Sequence, residues 1–512
     1  MTADALEQPE VRAARRARQL LQVVQFVLLV AAVFLCFRGR GRHRDWVVLA
    51  AAVPLIRALC SAAYRQEWAA WLRTRWAALH TFHAGAGRCP WPAILSLVTV
   101  PFAVLALGPP LGGGGDTAPV VPTTVSLVRH GEFRLDTYYR ELRVPAPATA
   151  DGELPYYLCR RPGGVYSAYP VGMVAFALPF VAVSDVLGTD WRNPFVPLRL
   201  ERWISAWVAG LAVGLFYLLV AAWLPPAPAL VLTALYGLGS AQFSTAALDL
   251  SQCGGVMFWI LVVLASEAHA ARLPPAALVL LQGLACGLMP SCRFTAGVFV
   301  LCFGAWLLVR APRRALLTAL VAIVAALPWL AFYYRVYGHP LGPVSAQLDP
   351  NVWAGFGQHW LGVLASPGRG LLVYSPWLLL ALLAPLAARR THADRAARGW
   401  AWFLVPVAAV HFLVVASWGM WWGGHSYGPR LLAESLPLLA VLCAGPVAWL
   451  WPRRAGRILL VGCVLLAAAL NVPPMYAHAL DWNSGPPDVD QRPERLWSWS
   501  HPPFLWHGHS PP

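Results

Sequence analysis

The stretch GPPLGGGGDTAPVVPTTVSLVRHGEFRLDTYYR, residues 108–140, decides how the chain reads, because it opens the longest interval that is not an apolar run. Runs long enough to cross a bilayer lie on both sides, joined mostly by short connectors. Here Asp116, Arg129, His130, Glu132, Arg134, Asp136, Tyr138, Tyr139 and Arg140 follow one another closely instead. The interval continues through PYYLCRRPGGVYSAYPVGM (155–173), rich in Tyr, Arg and Gly, to about Arg199. A long polar loop held between spans is where a membrane protein can place chemistry on a water-borne or lipid-borne substrate.

Composition sets the class. Of 512 residues, 58% are hydrophobic and 12% charged, and the mean hydropathy is +0.55, the profile of a polytopic membrane protein. Many of the 26 tryptophans stand near the ends of apolar runs, as an interfacial belt places them. The formal charge of +16 is carried by arginine without any lysine, in clusters between apolar runs. That is the pattern of cytoplasmic loops, and it argues against nucleic-acid binding. The ten cysteines form no C-x-x-C pair, and several fall inside apolar runs, so they read as small core residues. No cleavage site follows the first apolar run, so no removable leader is expected.

A span needs roughly 20 apolar residues. Runs near 19–37, 46–62, 92–108, 203–223, 228–247, 253–270, 276–290, 294–310, 315–333, 371–387, 400–417, 431–450 and 457–474 predict an all-α polytopic fold of about 13 transmembrane helices. The basic connectors RAPRRA (310–315), ARRTHADRAAR (388–398) and WPRRAGR (451–457) are assigned to the cytoplasm. VRAARRAR (11–18) fits the same side, whereas RGRGRHR (38–44) falls on the opposite one and opposes the count. The two halves agree only if the run 167–187, with prolines at 170 and 179, lies on the bilayer rather than through it. Residues 109–202 then form one outside-facing loop with a juxtamembrane helix. The chain divides into a two-span extension (1–90), a membrane core (91–474) and a Trp/Pro/His-rich outside tail (475–512).

Candidate site residues gather on that outer side. Asp116 follows four glycines just after a span, placed as a general base at the mouth of a cavity or as a solvated loop carboxylate. Asp249, in FSTAALDLSQCGG, needs a polar cavity or an arginine, or else sits at a helix N-terminus. Arg293 (PSCRF), Arg369 (SPGRGLLVYSP), His425 and Arg430 (WWGGHSYGPRLL) stand at the mouths of later spans. A guanidinium beside a new helix suits a phosphate, and a single arginine also suits lipid headgroups.

An acidic residue in the first outside loop, a later YP-G element and a second outside acid resemble the GT-C superfamily of membrane glycosyltransferases. That group includes protein O-mannosyltransferases, the lipid A aminoarabinose transferase and oligosaccharyltransferases. GDTAPVVPTTVSLVRHGEFRLDTYY is similar to its first-loop pattern, which also draws in Asp136. YSAYPVGMVAFALPF, with Tyr169, resembles its juxtamembrane segment, and the likeness extends over about 92–450. It implies an inverting transfer of a sugar from a polyprenyl-phosphate donor to a glycan, lipid or protein acceptor. The reaction would take place at the outer face of the cytoplasmic membrane. Asp116 would be the base; Arg293, Arg369, Arg430 and His425 would hold the departing phosphate, with Asp249, Asp136 and Tyr169 lining the cavity. Arg369→Ala is then expected to weaken donor binding. Many members carry a second acid where this chain has Thr117, so no metal is assigned there, and no cofactor is predicted.

Other readings compete. A transporter or flippase of a lipid-linked or anionic solute would favour internal repeats and mid-membrane charges, and neither is evident. A polysaccharide polymerase or ligase shares the donor, and a purely structural membrane protein would not need so many outer ionisable groups. The tail histidines His501, His507 and His509 lie in a Pro-rich segment that reads as a cap rather than a metal site.

Overall fold

The computed structural model describes residues 62–83, 89–107, 115–149, 152–343, 352–384, 393–472, 479–485 and 487–506. The expected span 19–37, residues 46–61 of the next, and His507 and His509 lie outside these residues. Among the described residues, 62–74 and 184–196 form one compact unit, and 75–183 and 197–506 form the other. In the first, the buried Trp191 donates its indole N–H to Asp185 Oδ1 (2.9 Å), closing the 184–196 segment on itself. Everything below concerns the second unit.

Its elements are α1 (Ala62–His83, entering at Arg75), α2 (Trp91–Ala106), α3 (Val120–His130), α4 (Leu135–Leu142), β1 (Leu158–Arg161), β2 (Gly164–Ser167), α5 (Gly172–Val186), α6 (Phe195–Val220), α7 (Pro226–Leu238), α8 (Gln252–Ala268), α9 (Pro275–Cys292), α10 (Gly297–Arg310), α11 (Pro312–Tyr337), α12 (Trp360–Ala365), α13 (Ala393–Ser417), α14 (Leu436–Leu442), α15 (Ala444–Leu450) and α16 (Arg454–Asn471). Among the described residues the fold is helical apart from the β1–β2 hairpin and one isolated bridge.

Five described helices are long and apolar enough to cross a bilayer: α6, α9, α11, the Trp400–Ser417 part of α13, and α16. A sixth is present if Arg430–Leu442 and Ala444–Leu450, bent by 42°, count as one span. The expectation of about 13 is therefore met only in its coarser form, a helical chain with several spanning-length apolar helices. The runs 92–108, 228–247, 253–270 and 294–310 yield apolar helices of 10–17 residues, at most about 25 Å long against roughly 30 Å of hydrocarbon. The run 371–387 is one helical turn (Leu371–Tyr374) and then a 3-10 stretch (Pro376–Leu383). Pro376 is the cause: the residue before a proline is pushed out of the α region, and Ser375 sits at φ −133°, ψ 61°.

Pro312 starts α11 at a position where a missing N–H costs nothing, and Gly338 ends it in a left-handed cap. Its outer face is bare: Leu316, Leu317, Leu320, Ile323, Val324 and Leu327 are each more than half exposed. Such a continuous apolar surface on a spanning-length helix is what lipid covers. The opposite face packs on α9, where a side chain at Gly283 or Gly287 would collide with Val321, Thr318 and Ala322. Without water to drive apolar faces together, small residues spaced by four allow this close approach.

The polar loop is compact. The β1–β2 hairpin closes through Pro162–Gly163, the Pro–Gly order of a type II turn, with Gly163 at φ +99°. Asp136 Oδ1, near the start of α4, accepts the Val165 N–H (3.0 Å) and ties the hairpin to the helix. The end of α11 holds the next segment: Tyr337 donates to Ser167 O (2.7 Å), and the Tyr333 hydroxyl accepts from Val171 N–H (2.9 Å). The 15-residue α5 then follows, about 22 Å long and short for a span. The helix α6 begins at Phe195 rather than near 203, so Glu201 and Arg202 ride buried on a helix, where a loop was expected.

Candidate active site

The turn carrying Asp116 folds back under Tyr156 and Tyr157. A side chain at Gly115 would overlap both rings, so only glycine permits that approach. Asp116 Oδ2 receives a short hydrogen bond from Arg430 Nη2, an ion pair spanning 314 positions of sequence. Each side chain is 19% exposed. The Tyr169 hydroxyl donates to the same carboxylate, and the exposed Tyr156 hydroxyl stands 3.5 Å from Oδ1. Burial pushes the Asp116 carboxyl up. The Arg430 charge, hydrogen bonds from Tyr169 and Arg430, and the charge of Arg293 outweigh it and hold the group below the usual carboxylate range. Asp116 is thus ionised at neutral pH. Partial desolvation and the neighbouring Asp116 charge push the Tyr156 phenol up, so it remains a hydrogen-bond donor.

One buried residue explains why two loops meet here. Glu201 of α6 accepts a hydrogen bond from the Thr117 side chain and another from the Leu250 backbone N–H (3.2 Å). Thr117 adjoins Asp116 and Leu250 adjoins Asp249, so a single carboxylate staples the two acidic turns together. Asp249 Oδ1 is buried and accepts no hydrogen bond among the described residues, while Ser251 donates to the carboxylate. Burial lifts the Asp249 carboxyl to about 6, with Arg430 pulling it down and Asp116 pushing it up. Arg430 therefore lies within electrostatic reach of two acids, and among the described residues its side chain donates a hydrogen bond only to Asp116.

A second buried group stands beside the first. Arg293 occupies the extended turn after α9, as the MPSCRFT reading expected, although Pro290 lies within the helix. Its Nη1 donates to Glu434 Oε1 (3.0 Å), and Thr295 Oγ1 donates to Oε2 (2.9 Å). His411 Nε2 is 3.4 Å from Oε2, and its Nδ1 is 2.7 Å from Ser435 Oγ. With Glu434 buried, Arg293 and Thr295 satisfy a charge that would be costly alone.

The remaining candidates lie elsewhere or are already engaged. Arg369 is buried, and four hydrogen bonds run from its guanidinium to Trp422 O (2.9 Å), Gly368 O (2.9 Å), Gly424 O (3.0 Å) and Asn483 Oδ1 (2.6 Å). A guanidinium has five N–H groups, so Arg369 acts as a clasp between loops rather than an open phosphate ligand. Burial draws it down to about 10, which leaves it charged at neutral pH. His425 faces Asp488 and Asp490 of the tail. Asp136 holds the hairpin and pairs with Arg134 (3.5 Å), not with Asp116.

Arg369 and Arg430 both line a small recess with Trp421, Trp422 and Leu432. The arrangement offers an ionised carboxylate, phenolic donors and a partly buried guanidinium at one point, able to orient a hydroxyl and to stabilise an anion. Sequence reasoning singled out Asp116, Asp249, Arg293, Arg430 and Tyr169, which the structure brings together. It missed Glu201, Glu434, His411 and Tyr156. Glu434 had a signal, an acid inside an apolar run, and Glu201 had none while it was read as loop. No family model, curated protein or solved structure matches the chain.

Proposed function

We propose that the chain is an inverting membrane glycosyltransferase. It transfers a sugar from a polyprenyl-phosphate donor to an acceptor hydroxyl at the outer face of the cytoplasmic membrane, with Asp116 as base. The observation that carries this reading is the Asp116–Arg430 pair, in which a base and a phosphate ligand from distant parts of the chain share one point. The acceptor oxygen attacks the anomeric carbon as the bond to the phosphate oxygen breaks. The hydroxyl proton passes to Asp116, and the lipid phosphate leaves with the bonding electrons. Fixed guanidinium groups in a partly dry site stabilise that developing charge more than water does. Arg430 is the direct ligand, Arg293 adds its field, and Arg369 holds the recess wall.

A carboxylate held low by an arginine is a weak base, and the donor itself supplies the remedy. An arriving phosphate draws the Arg430 guanidinium towards itself, loosens the pair and raises the proton affinity of Asp116. The base is therefore armed only when donor is present, which guards against unproductive chemistry.

In Asp116→Asn, release of free polyprenyl phosphate from a labelled donor is expected to fall at least about 100-fold with the protein still folded. Near-normal turnover would sink the assignment. The same readout separates an enzyme from a transporter, which would move the donor intact.

A further inference from the structure

The loop before Arg430 and the C-terminal segment meet at a group of side chains that the transfer reaction does not use. His425 follows Gly423 and Gly424, whose φ values of +70° and +66° reverse the chain and present the imidazole outward. Opposite it, Asp490 N–H donates to Asp488 Oδ1 (2.8 Å). His425 Nε2 lies 3.1 Å from Asp488 and 3.6 Å from Asp490 Oδ2. One ligand atom from each of the three residues lies within 4.8 Å of the other two. Donors bound at about 2.1 Å to one transition-metal ion stand roughly 3–3.5 Å apart, close to the 3.1 and 3.6 Å that separate His425 Nε2 from the two carboxylates.

The outer atoms are held from behind. Trp422 Nε1 donates to Asp490 Oδ1 (2.7 Å), and Ser484 Oγ is 3.4 Å from His425 Nδ1. Partners of this kind orient ligands towards a metal. The two segments are also joined independently: Asn483 Nδ2 donates to Ser426 O (3.1 Å), and Arg369 donates to Trp422 O and Gly424 O on one side and to Asn483 Oδ1 (2.6 Å) on the other. A neutral imidazole with two carboxylates offers two negative charges and mixed N/O donors.

We propose that His425, Asp488 and Asp490 bind a divalent transition-metal cation of the Zn²⁺ or Mn²⁺ class, with water completing its shell. The ion latches the C-terminal segment onto the loop that leads into Arg430. None of its three ligands is a residue of the proposed transfer, so the proposal holds whatever the reaction is.

The test uses the full-length protein in detergent without a polyhistidine tag, titrated by calorimetry with Zn²⁺ alone and Mn²⁺ alone. One cation per chain is expected. It should be lost in Asp488→Asn/Asp490→Asn and in His425→Gln, and retained in His501→Asn/His507→Asn/His509→Asn. Trp422→Phe, which keeps every ligand, is expected to weaken binding about 10- to 100-fold. Metal should also protect the 484–492 segment from protease in the parent and not in His425→Gln. Absence of binding by the parent would overturn the site, showing a histidine that bridges two aspartates and nothing more. Unchanged binding in the aspartate double variant, or loss only in the tail-histidine variant, would overturn it equally.

Discussion

Asp116 and Asp249 are two carboxylates in electrostatic contact with one arginine, and their environments push them in opposite directions. Asp116 receives hydrogen bonds from Arg430 and Tyr169 and stays ionised. Asp249 has one oxygen buried without a hydrogen bond among the described residues, and burial lifts it to about 6. The sign of the resulting pH dependence follows. An acid whose folded pKa exceeds its unfolded value of about 3.9 binds more protons when folded. Its contribution to stability therefore declines as pH rises from about 4 through 6 and stays low above that. Asp249→Asn should accordingly melt higher than the parent near pH 7, with the gap roughly halved at pH 5 and closed only below about pH 4, as followed by thermal unfolding in detergent. A variant that melts lower at pH 7 would mean that ionised Asp249 gains more from Arg430 than burial costs it. Splitting of this kind often marks acid–base sites. Here it separates an ionised carboxylate, Asp116, from a neighbour that exchanges its proton near neutrality.

At the scale of elements, the site is assembled by clasps rather than by one helix. Glu201 on α6 joins the turns of Asp116 and Asp249. Arg369 joins loop 422–424 to the tail through Asn483. Arg369→Ala would leave several buried carbonyls without donors, at about 1–3 kcal/mol for each group that water cannot reach. We expect it to lower the melting temperature and to open residues 479–506 to protease, before any effect on donor affinity. Loss of donor affinity with an undisturbed tail would instead return Arg369 to the phosphate clamp. The apolar run 371–387 shows the limit of reading elements from hydropathy. It has the length and composition of a span, yet Ser375–Pro376 breaks it into a turn and a 3-10 stretch. Similarly, α6 starts eight positions early because Glu201 and Arg202 can be helical once the fold buries them. Their charge made them look like loop.

For the whole molecule, the bare faces of α11 and α16 state the environment most directly. Leu320 and Ile323 on α11, and Ile458 and Leu465 on α16, are 59–66% exposed on helices of spanning length. A spin label at Leu320→Cys, in protein reconstituted into bilayers, should be more accessible to oxygen than to a water-soluble nickel chelate. The reverse order would place that face in water. What the sequence by itself determined is the class of protein and the character of its parts: apolar runs of bilayer length, basic connectors, one long polar loop, and ionisable residues at the mouths of spans. Those follow from local composition, because hydrocarbon accepts few charges and requires minimum lengths. Tertiary structure alone decided which of those residues meet. The pairing of Asp116 with Arg430, the stapling by Glu201 and the diversion of Arg369 into a clasp depend on distant segments burying one another. A buried charge takes the partner that the fold delivers to it.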